Sequence, residues 1–466
     1  MQTSVLPSSG SVPSLQTTLL HRRQRLADLV GFPVVLWSGG RSPRNFPANA
    51  YPFRASSHFL YFAGLSLDHA AIRLDNGRME LFMDDPTAAD ILWHGAMPTR
   101  EEIARQIGAE AAYPLEKLAE RAAGAATVAV QDSATRQAQA QTLKRGLFPP
   151  KHPEGLDREL ALALVELRLC HDASALAEMR RAIAITVEAH LAGMAATRTA
   201  THEAEVRAAI EAVMTRRGAT PAYTSIVTTR GEVLHSDRSI HPLQPGDLML
   251  VDAGAETESG WASDVTRTYP VSGTFSPTQR DIYDVVLAAH DRCIDYVKPG
   301  AEYRTLHWRA ALTIADGLAQ LGILEGDPES LVEQDAHALF FPHGIGHLLG
   351  LDVHDMEDFG DMAGYAPGRT RGDRFGLCYL RLDRPLQASM VVTIEPGFYQ
   401  VDALLNDPER RANYDEFVNW ERLEDFRDVR GIRIEDDVLV TETGADVLTA
   451  ALPTDAESVA QCVREA

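Results

Sequence analysis

Cysteine is scarce in this chain. Only four occur in 466 residues, Cys170, Cys293, Cys378 and Cys462, and none is close to another. That spacing excludes both a CxxC zinc signature and a dense disulfide framework. Free thiols in a reducing cytoplasm are the expectation. The opening MQTSVLPSSGSVPSLQTT lacks a cationic start followed by an apolar core, so it does not read as a secretory signal. No apolar run approaches the roughly 18 residues that span a bilayer, so no membrane segment is expected. Basic residues are in deficit too: 44 Lys and Arg face 66 Asp and Glu, a formal net charge of −22. This balance argues against broad binding to nucleic acid or an anionic membrane, since both need a basic surface. What is present, 45% hydrophobic and 7% aromatic residues, is the composition of a globular protein with substantial cores. The length predicts two or three domains.

Residues 1–17 are rich in Ser, Pro, Gln and Thr, and a flexible tail is expected there. Residues 18–155 read as an α/β N-terminal domain. PVVLWSGG (33–40) and HAAIRLDNGRMELFMD (69–84) read as strands, the latter a hairpin around Asn-Gly, and TREEIARQIG (99–108) reads as a capped helix. The proline-rich FPPKHPEG breaks the chain near residue 150. Residues 156–466 open with one long helical region running to Thr197, followed by a helix that stops at Gly218. From Tyr223 the pattern turns to strands with a helical interlude at 277–321, an α+β domain.

The chemistry is concentrated in this second half. LMLVDAG ends an apolar run on Asp252, and ASDVTRTYPV carries Asp264. A hairpin between them would set two carboxylates side by side, which repel unless a cation neutralises them; alone, either could be a turn residue. PHGIGHLLGLDVHD brings His343, His347 and His354 among glycines, with Asp352 and Asp355 beside them. One such histidine would read as core, but three together point to a site. VVTIEPGFY puts Glu395 at the end of a buried strand. In GIRIEDDVLVT, period-two alternation sends Arg433 and Glu435 to one face, where Glu435 could pair with Arg433 or meet a metal. Buried carboxylates are costly unless paired or metal-bound. Four carboxylates and one imidazole on strands suit Mn²⁺ or Co²⁺ and tolerate Zn²⁺ or Fe²⁺, and two ions sharing carboxylates would make a dinuclear hydrolase.

Taken in order, DAGAETESGWASDVTRTYPVSG, HGIGHLLGLDVHD, TIEPGFY and GIRIEDDVLVT resemble the metallopeptidases of the pita-bread fold. RNFPANAYPFRASSHFLYFAG (44–64) and LWHG (92–95) are similar to the N-terminal domain of the Xaa-Pro enzymes of that group, prolidase and aminopeptidase P. The resemblance implies a pita-bread catalytic domain and two divalent ions, Mn²⁺ first. It implies that Asp252 chelates the first ion, that Asp264 and Glu435 bridge both, and that His347 and Glu395 hold the second. Glu395 would also be the general base, with His235, His343 and His354 on the substrate side. Proline-containing peptides or Xaa-Pro dipeptides would be the substrates, and a dimer or tetramer the assembly. Eleven residues separate Asp252 from Asp264, one more than the resemblance leads us to expect, lengthening the turn at Glu256–Gly260.

Substrate length is the finer choice. A dipeptidase must bind the free carboxylate of Xaa-Pro with a positioned arginine. Arg381 sits where the prolidase carboxylate-binding arginine falls, although it could equally be a salt-bridging surface residue; Arg433 is the second arginine expected on substrate. The segment from YQVDALLNDPERR to FVNWERL also resembles prolidase. These features lean to the dipeptidase, with aminopeptidase P as the alternative. A non-catalytic pita-bread binding module or a creatinase-like hydrolase would have lost metal ligands, and all five are present.

Overall fold

A computed structural model describes residues 12–465 of the chain. Most of the expected N-terminal tail lies outside them, but its proposed end at residue 17 is too late. A helix already begins at Leu15 and runs to Leu29, with the Ser14 hydroxyl accepting the Thr17 N–H. The chain divides into two compact units, the first reaching Leu167 and including His171–Glu178, the second comprising Arg168–Cys170 and Met179 onward.

In the first unit, strands Val34–Trp37, Ala71–Asp75, Arg78–Phe82 and Ala111–Tyr113 form one sheet in that order, the last pair parallel. The hairpin pairs Asp75 with Arg78, and its two turn residues, Asn76 and Gly77, have φ of 49° and 73°, the left-handed pair that Asn-Gly favours. Thr99 and Glu102 close a capping box on the helix Arg100–Ile107. The division at Leu167 comes later than the expected boundary at 155 because the helix Gly155–Leu169 is tied to this unit. Asp157 accepts the Thr127 N–H at 2.8 Å, and the Tyr61 hydroxyl reaches the Leu167 carbonyl at 3.2 Å. The single long helix expected after residue 155 is in fact two, Gly155–Leu169 and Ala173–Thr197. The break falls at Asp172, whose carboxylate takes the Ala175 N–H and binds Arg22, a capping role that the helical periodicity hid.

The second unit is built from short antiparallel ladders backed by helices. Strands Ile226–Thr228, Leu248–Asp252 and Thr266–Pro270 form one sheet; Val391–Ile394, Asp436–Val440 and Ala445–Val447 form another. Gly397–Tyr399 pairs with Gly431–Arg433. A bridge from Thr266 to Glu435 and another from Leu348 to Val392 join these pieces. Val206, Ile210, Met249, Val251, Val265 and Tyr269 share the core beneath the first sheet, fully shielded from water. The helical interlude is two helices, Pro277–Ile294 and Tyr303–Gln320. Among the described residues no helix is long and apolar enough to cross a membrane.

Candidate metal centre

The hairpin that carries Asp252 and Asp264 has one register throughout. Asp252 pairs with Thr266, Ala253 donates to the Val265 carbonyl, and Ser263 donates to that of Ala255. Asp264 is therefore the diagonal neighbour of Asp252, on the same face but not directly across, which corrects the side-by-side placement expected from sequence. The residue opposite Asp264 is Gly254. A Cβ there would lie 1.8 Å from the Ser263 carbonyl oxygen, so glycine is what lets the two chains close on this spot. The reversal is made at Thr257–Gly260, with Gly260 donating to the Thr257 carbonyl. Residues added in this turn leave the carboxylates in register.

A second pair is built the same way. The HGIGHLLG stretch runs antiparallel to Val391–Ile394: Thr393 donates to the His347 carbonyl at 3.0 Å and Glu395 to that of Ile345 at 2.8 Å. Glu395 is thus the diagonal neighbour of His347. Gly346 permits this approach, since a Cβ would meet the Thr393 carbonyl oxygen and the Tyr303 hydroxyl, each at 2.3 Å. The His347 Nδ1 lies 3.0 Å from the Leu348 carbonyl, to which it donates, and this directs Nε2 inward. That Nε2 sits 3.4 Å from Asp264 and 3.5 Å from Glu395. A buried Arg168–Asp355 ion pair at 2.6 Å, with Asp355 also accepting the Asp352 N–H, holds the loop beyond His347.

The IEDD run supplies three carboxylates with three different tasks. Glu435 faces the centre and accepts from the Thr266 hydroxyl at 2.6 Å. Asp436 turns away to Arg267 and His290, and Asp437, fully buried, takes the Asp264 N–H. Arg433 was expected to face substrate or to pair with Glu435. It lines the cavity, but its ion pair is with Asp252 at 2.5 Å rather than with Glu435, and it also donates to Thr266 Oγ1 and the Tyr399 hydroxyl. Tyr223, which sequence reasoning missed, places its hydroxyl between the carboxylates of Asp252 (2.6 Å) and Asp264. A lone Tyr in the PAYTS turn gives no signal of this; only the fold brings it to the site.

All five expected ligands converge. Donor atoms of Asp252, Asp264 and Glu435 lie within 4.8 Å of one another, as do those of His347, Glu395 and Glu435, and of Asp264, His347 and His354. Burial drives the carboxyl groups of Asp264 and Glu435 upward, and that of Glu395 to about 7, with neighbouring carboxylates adding to the shift. His347 moves up despite its burial, because Asp264 and Glu395 favour its charged form. Apart from His347, Arg433 is the only cation bonded to this set of four acids among the described residues. The deficit of positive charge and the oxygen-rich donor set fit divalent ions.

The centre opens into a cavity of about 570 Å³ lined also by His235, His343, His354 and Arg381. His343 reaches the Tyr399 hydroxyl at 2.8 Å, and the ring of His354 lies 4.3 Å from that of His347. Burial holds His343 near 3 and His354 near 2, so both stay neutral at pH 7. Arg381, the expected carboxylate anchor, is held by Glu357 at 3.0 Å.

Three buried carboxylates, the half-buried Glu395 and one imidazole opening on a cavity are the donor chemistry of a metal-dependent hydrolase. Residues 177–442 match metallopeptidase family M24, and residues 20–131 match the aminopeptidase P N-terminal domain. A probable Xaa-Pro aminopeptidase of Phaeosphaeria nodorum is 32% identical over 407 residues, 85% of this chain and 84% of that one. The aminopeptidase PepP structure from Pseudomonas aeruginosa superimposes with a TM-score of 0.79 at 27% identity, covering 97% of this chain and 98% of that one. Proline aminopeptidase P II from Yersinia pestis does so with a TM-score of 0.78 at 28% identity, covering 97% and 100%. The chain belongs to metallopeptidase family M24, with an aminopeptidase P N-terminal domain ahead of a pita-bread catalytic domain. It is accordingly an enzyme that works with divalent metal ions. The relatives named here are aminopeptidases, which turns the lean toward a dipeptidase into the alternative reading.

Proposed function

We propose that the chain is an Xaa-Pro aminopeptidase, removing the first residue of peptides whose second residue is proline. The observation that carries this reading is the pair of overlapping donor sets, Asp252–Asp264–Glu435 and His347–Glu395–Glu435, opening on one cavity. Two ions, Mn²⁺ first, would be held by these sets, with Glu435 common to both and Asp264, which also groups with His347, beside it. When bound, the ions lower the pKa of a shared water and polarise the scissile carbonyl.

The remaining roles belong to the chain. Glu395 accepts the proton of the attacking water on a carboxylate oxygen and returns it to the proline nitrogen as the bond breaks. Neutral His354 donates from a ring nitrogen to the developing oxyanion. His343, fixed by Tyr399, and His235 line the same cavity and border the substrate. Proline at the second position needs a preformed slot because its amide nitrogen has no proton to offer and its ring is rigid.

Arg381 lines the cavity but already shares its charge with Glu357 at 3.0 Å, so a proline carboxylate would have to compete for it. The dimer or tetramer expected from the resemblance belongs to the same reading and is read by light scattering. Glu395→Gln tests the assignment of the base. Turnover of Ala-Pro-Ala should fall by about 10²–10⁴-fold with the fold intact, and survival of activity would remove Glu395 from that role.

A further inference from the structure

Three arginines line the catalytic cavity, and they are not equivalent. Arg433 is buried and bound to Asp252. Arg381 is bound to Glu357. Arg410 is half-buried, and among the described residues no carboxylate lies within 4.0 Å of its guanidinium. Its guanidinium carbon stands 4.3 Å from the centre of the Phe375 ring, a contact that fixes its direction without neutralising it. Asp373 lines the same cavity without pairing with it. A half-desolvated guanidinium held over an aromatic face is prepared for an anion that arrives from outside.

The position of Arg410 in the chain explains why that anion would be part of the substrate. Gly397–Tyr399 pairs with Gly431–Arg433, so the ladder between Glu395 and Glu435 is continuous at its base. Residues 400–430 leave this ladder as one excursion, and the short helices Asp402–Leu405 and Pro408–Asn413 turn back to wall the cavity with Val401, Ala403, Leu404 and Arg410. The cap that starts the second helix, Asp407 on the Arg410 N–H at 2.8 Å, fixes where Arg410 leaves the backbone. A peptide seated with its Xaa-Pro bond at the metal centre must send its remaining residues along this wall or out of the cavity.

We infer that Arg410 forms a subsite for a carboxylate carried beyond proline, either the C-terminus of a short peptide or an acidic side chain. The inference rests on the aminopeptidase reading above and narrows it to short or acidic peptides. It also gives a physical reason for longer substrates: the unneutralised cation lies on the excursion wall, while the arginine at the dipeptidase position is already paired.

The test compares Ala-Pro-Ala and Ala-Pro-Ala-Ala, each as free acid and C-terminal amide, with Ala-Pro-Glu-amide as a further arm, on the Mn²⁺-loaded full chain. One charge-assisted hydrogen-bonded contact predicts roughly a 10-fold advantage of acid over amide, carried by KM. That ratio should fall to near one in Arg410→Ala and recover in part in Arg410→Lys. Because it is taken within each variant, partial misfolding cancels. Calorimetric binding of the product Pro-Ala against its amide should show the same preference. An advantage of the acids places the terminal carboxylate on Arg410, and an advantage of the Glu amide over Ala-Pro-Ala-amide places a side chain there. Brisk cleavage in the parent chain with equal rates for acids and amides and no advantage of the Glu amide, or an advantage unchanged by Arg410→Ala, overturns the subsite alone. Failure to cleave any Xaa-Pro peptide overturns the function on which it rests.

Discussion

Tyr223→Phe removes one oxygen from the metal centre and nothing else. In the structure that hydroxyl sits between Asp252 and Asp264, and burial with the surrounding carboxylates keeps its proton on well beyond the usual tyrosine range. A hydrogen bond to a charged group contributes about 1.5–3 kcal/mol. Loss of a partner that orients a metal-binding carboxylate costs about 10–100-fold in metal affinity, or about 1.4–2.8 kcal/mol. The two routes agree, so the variant should bind Mn²⁺ about 10–100-fold more weakly. The assay titrates metal-free protein with Mn²⁺ against a competing chelator, and then measures turnover at saturating metal. Turnover should return to within about threefold of the parent, because the hydroxyl orients ligands and takes no part in proton transfer. An unchanged metal affinity would refute the placement, and a lasting hundredfold loss at saturation would make Tyr223 a reacting group.

Other outcomes follow from the same geometry. Gly346→Ala should cost about 1–3 kcal/mol or more in thermal or urea unfolding and most of the activity, since the new methyl meets Thr393 and Tyr303. Arg168→Met should destabilise the chain by about 3–5 kcal/mol by leaving Asp355 buried without its cation, read as a lower urea midpoint. His337 and His307 lie fully buried outside the donor sets, and burial pushes them down to about 3 and about 4. Their folded values lie below the unfolded value near 6.5, so their stability is complete above that pH and is lost as the pH falls toward 4. The loss is about 1.4 kcal/mol per pH unit for each histidine. His337→Phe should flatten the stability curve between pH 6.5 and 4, and an unchanged slope would contradict the assignment.

The candidate ligands were legible because acids inside apolar strands are chemically out of place. Asp252, Glu395 and Glu435 each stand where an apolar residue would otherwise be, and three histidines crowd twelve positions of one glycine-rich stretch. Registers were not legible. Periodicity puts Asp252 and Asp264 on one face, but only the ladder makes them diagonal and assigns Gly254 the place opposite Asp264. Partners across the fold were hidden for the same reason. Arg433 is two residues from Glu435 and reads as its salt bridge, yet the pairing of Gly397–Tyr399 with Gly431–Arg433 and the bridge from Thr266 to Glu435 bring it to Asp252. Tyr223 carries no local mark at all. The helix break at Asp172 was readable in principle from its capping chemistry, but the apolar spacing ran through it.

The account stands most directly on the two overlapping donor sets. Titrating metal-free protein with Mn²⁺ while following cleavage of Ala-Pro-Ala reads both their number and their purpose. The account predicts no cleavage without metal and a rise that levels off at two equivalents per chain. Cleavage by the metal-free chain, a plateau at one equivalent, or no cleavage at any metal content would contradict it.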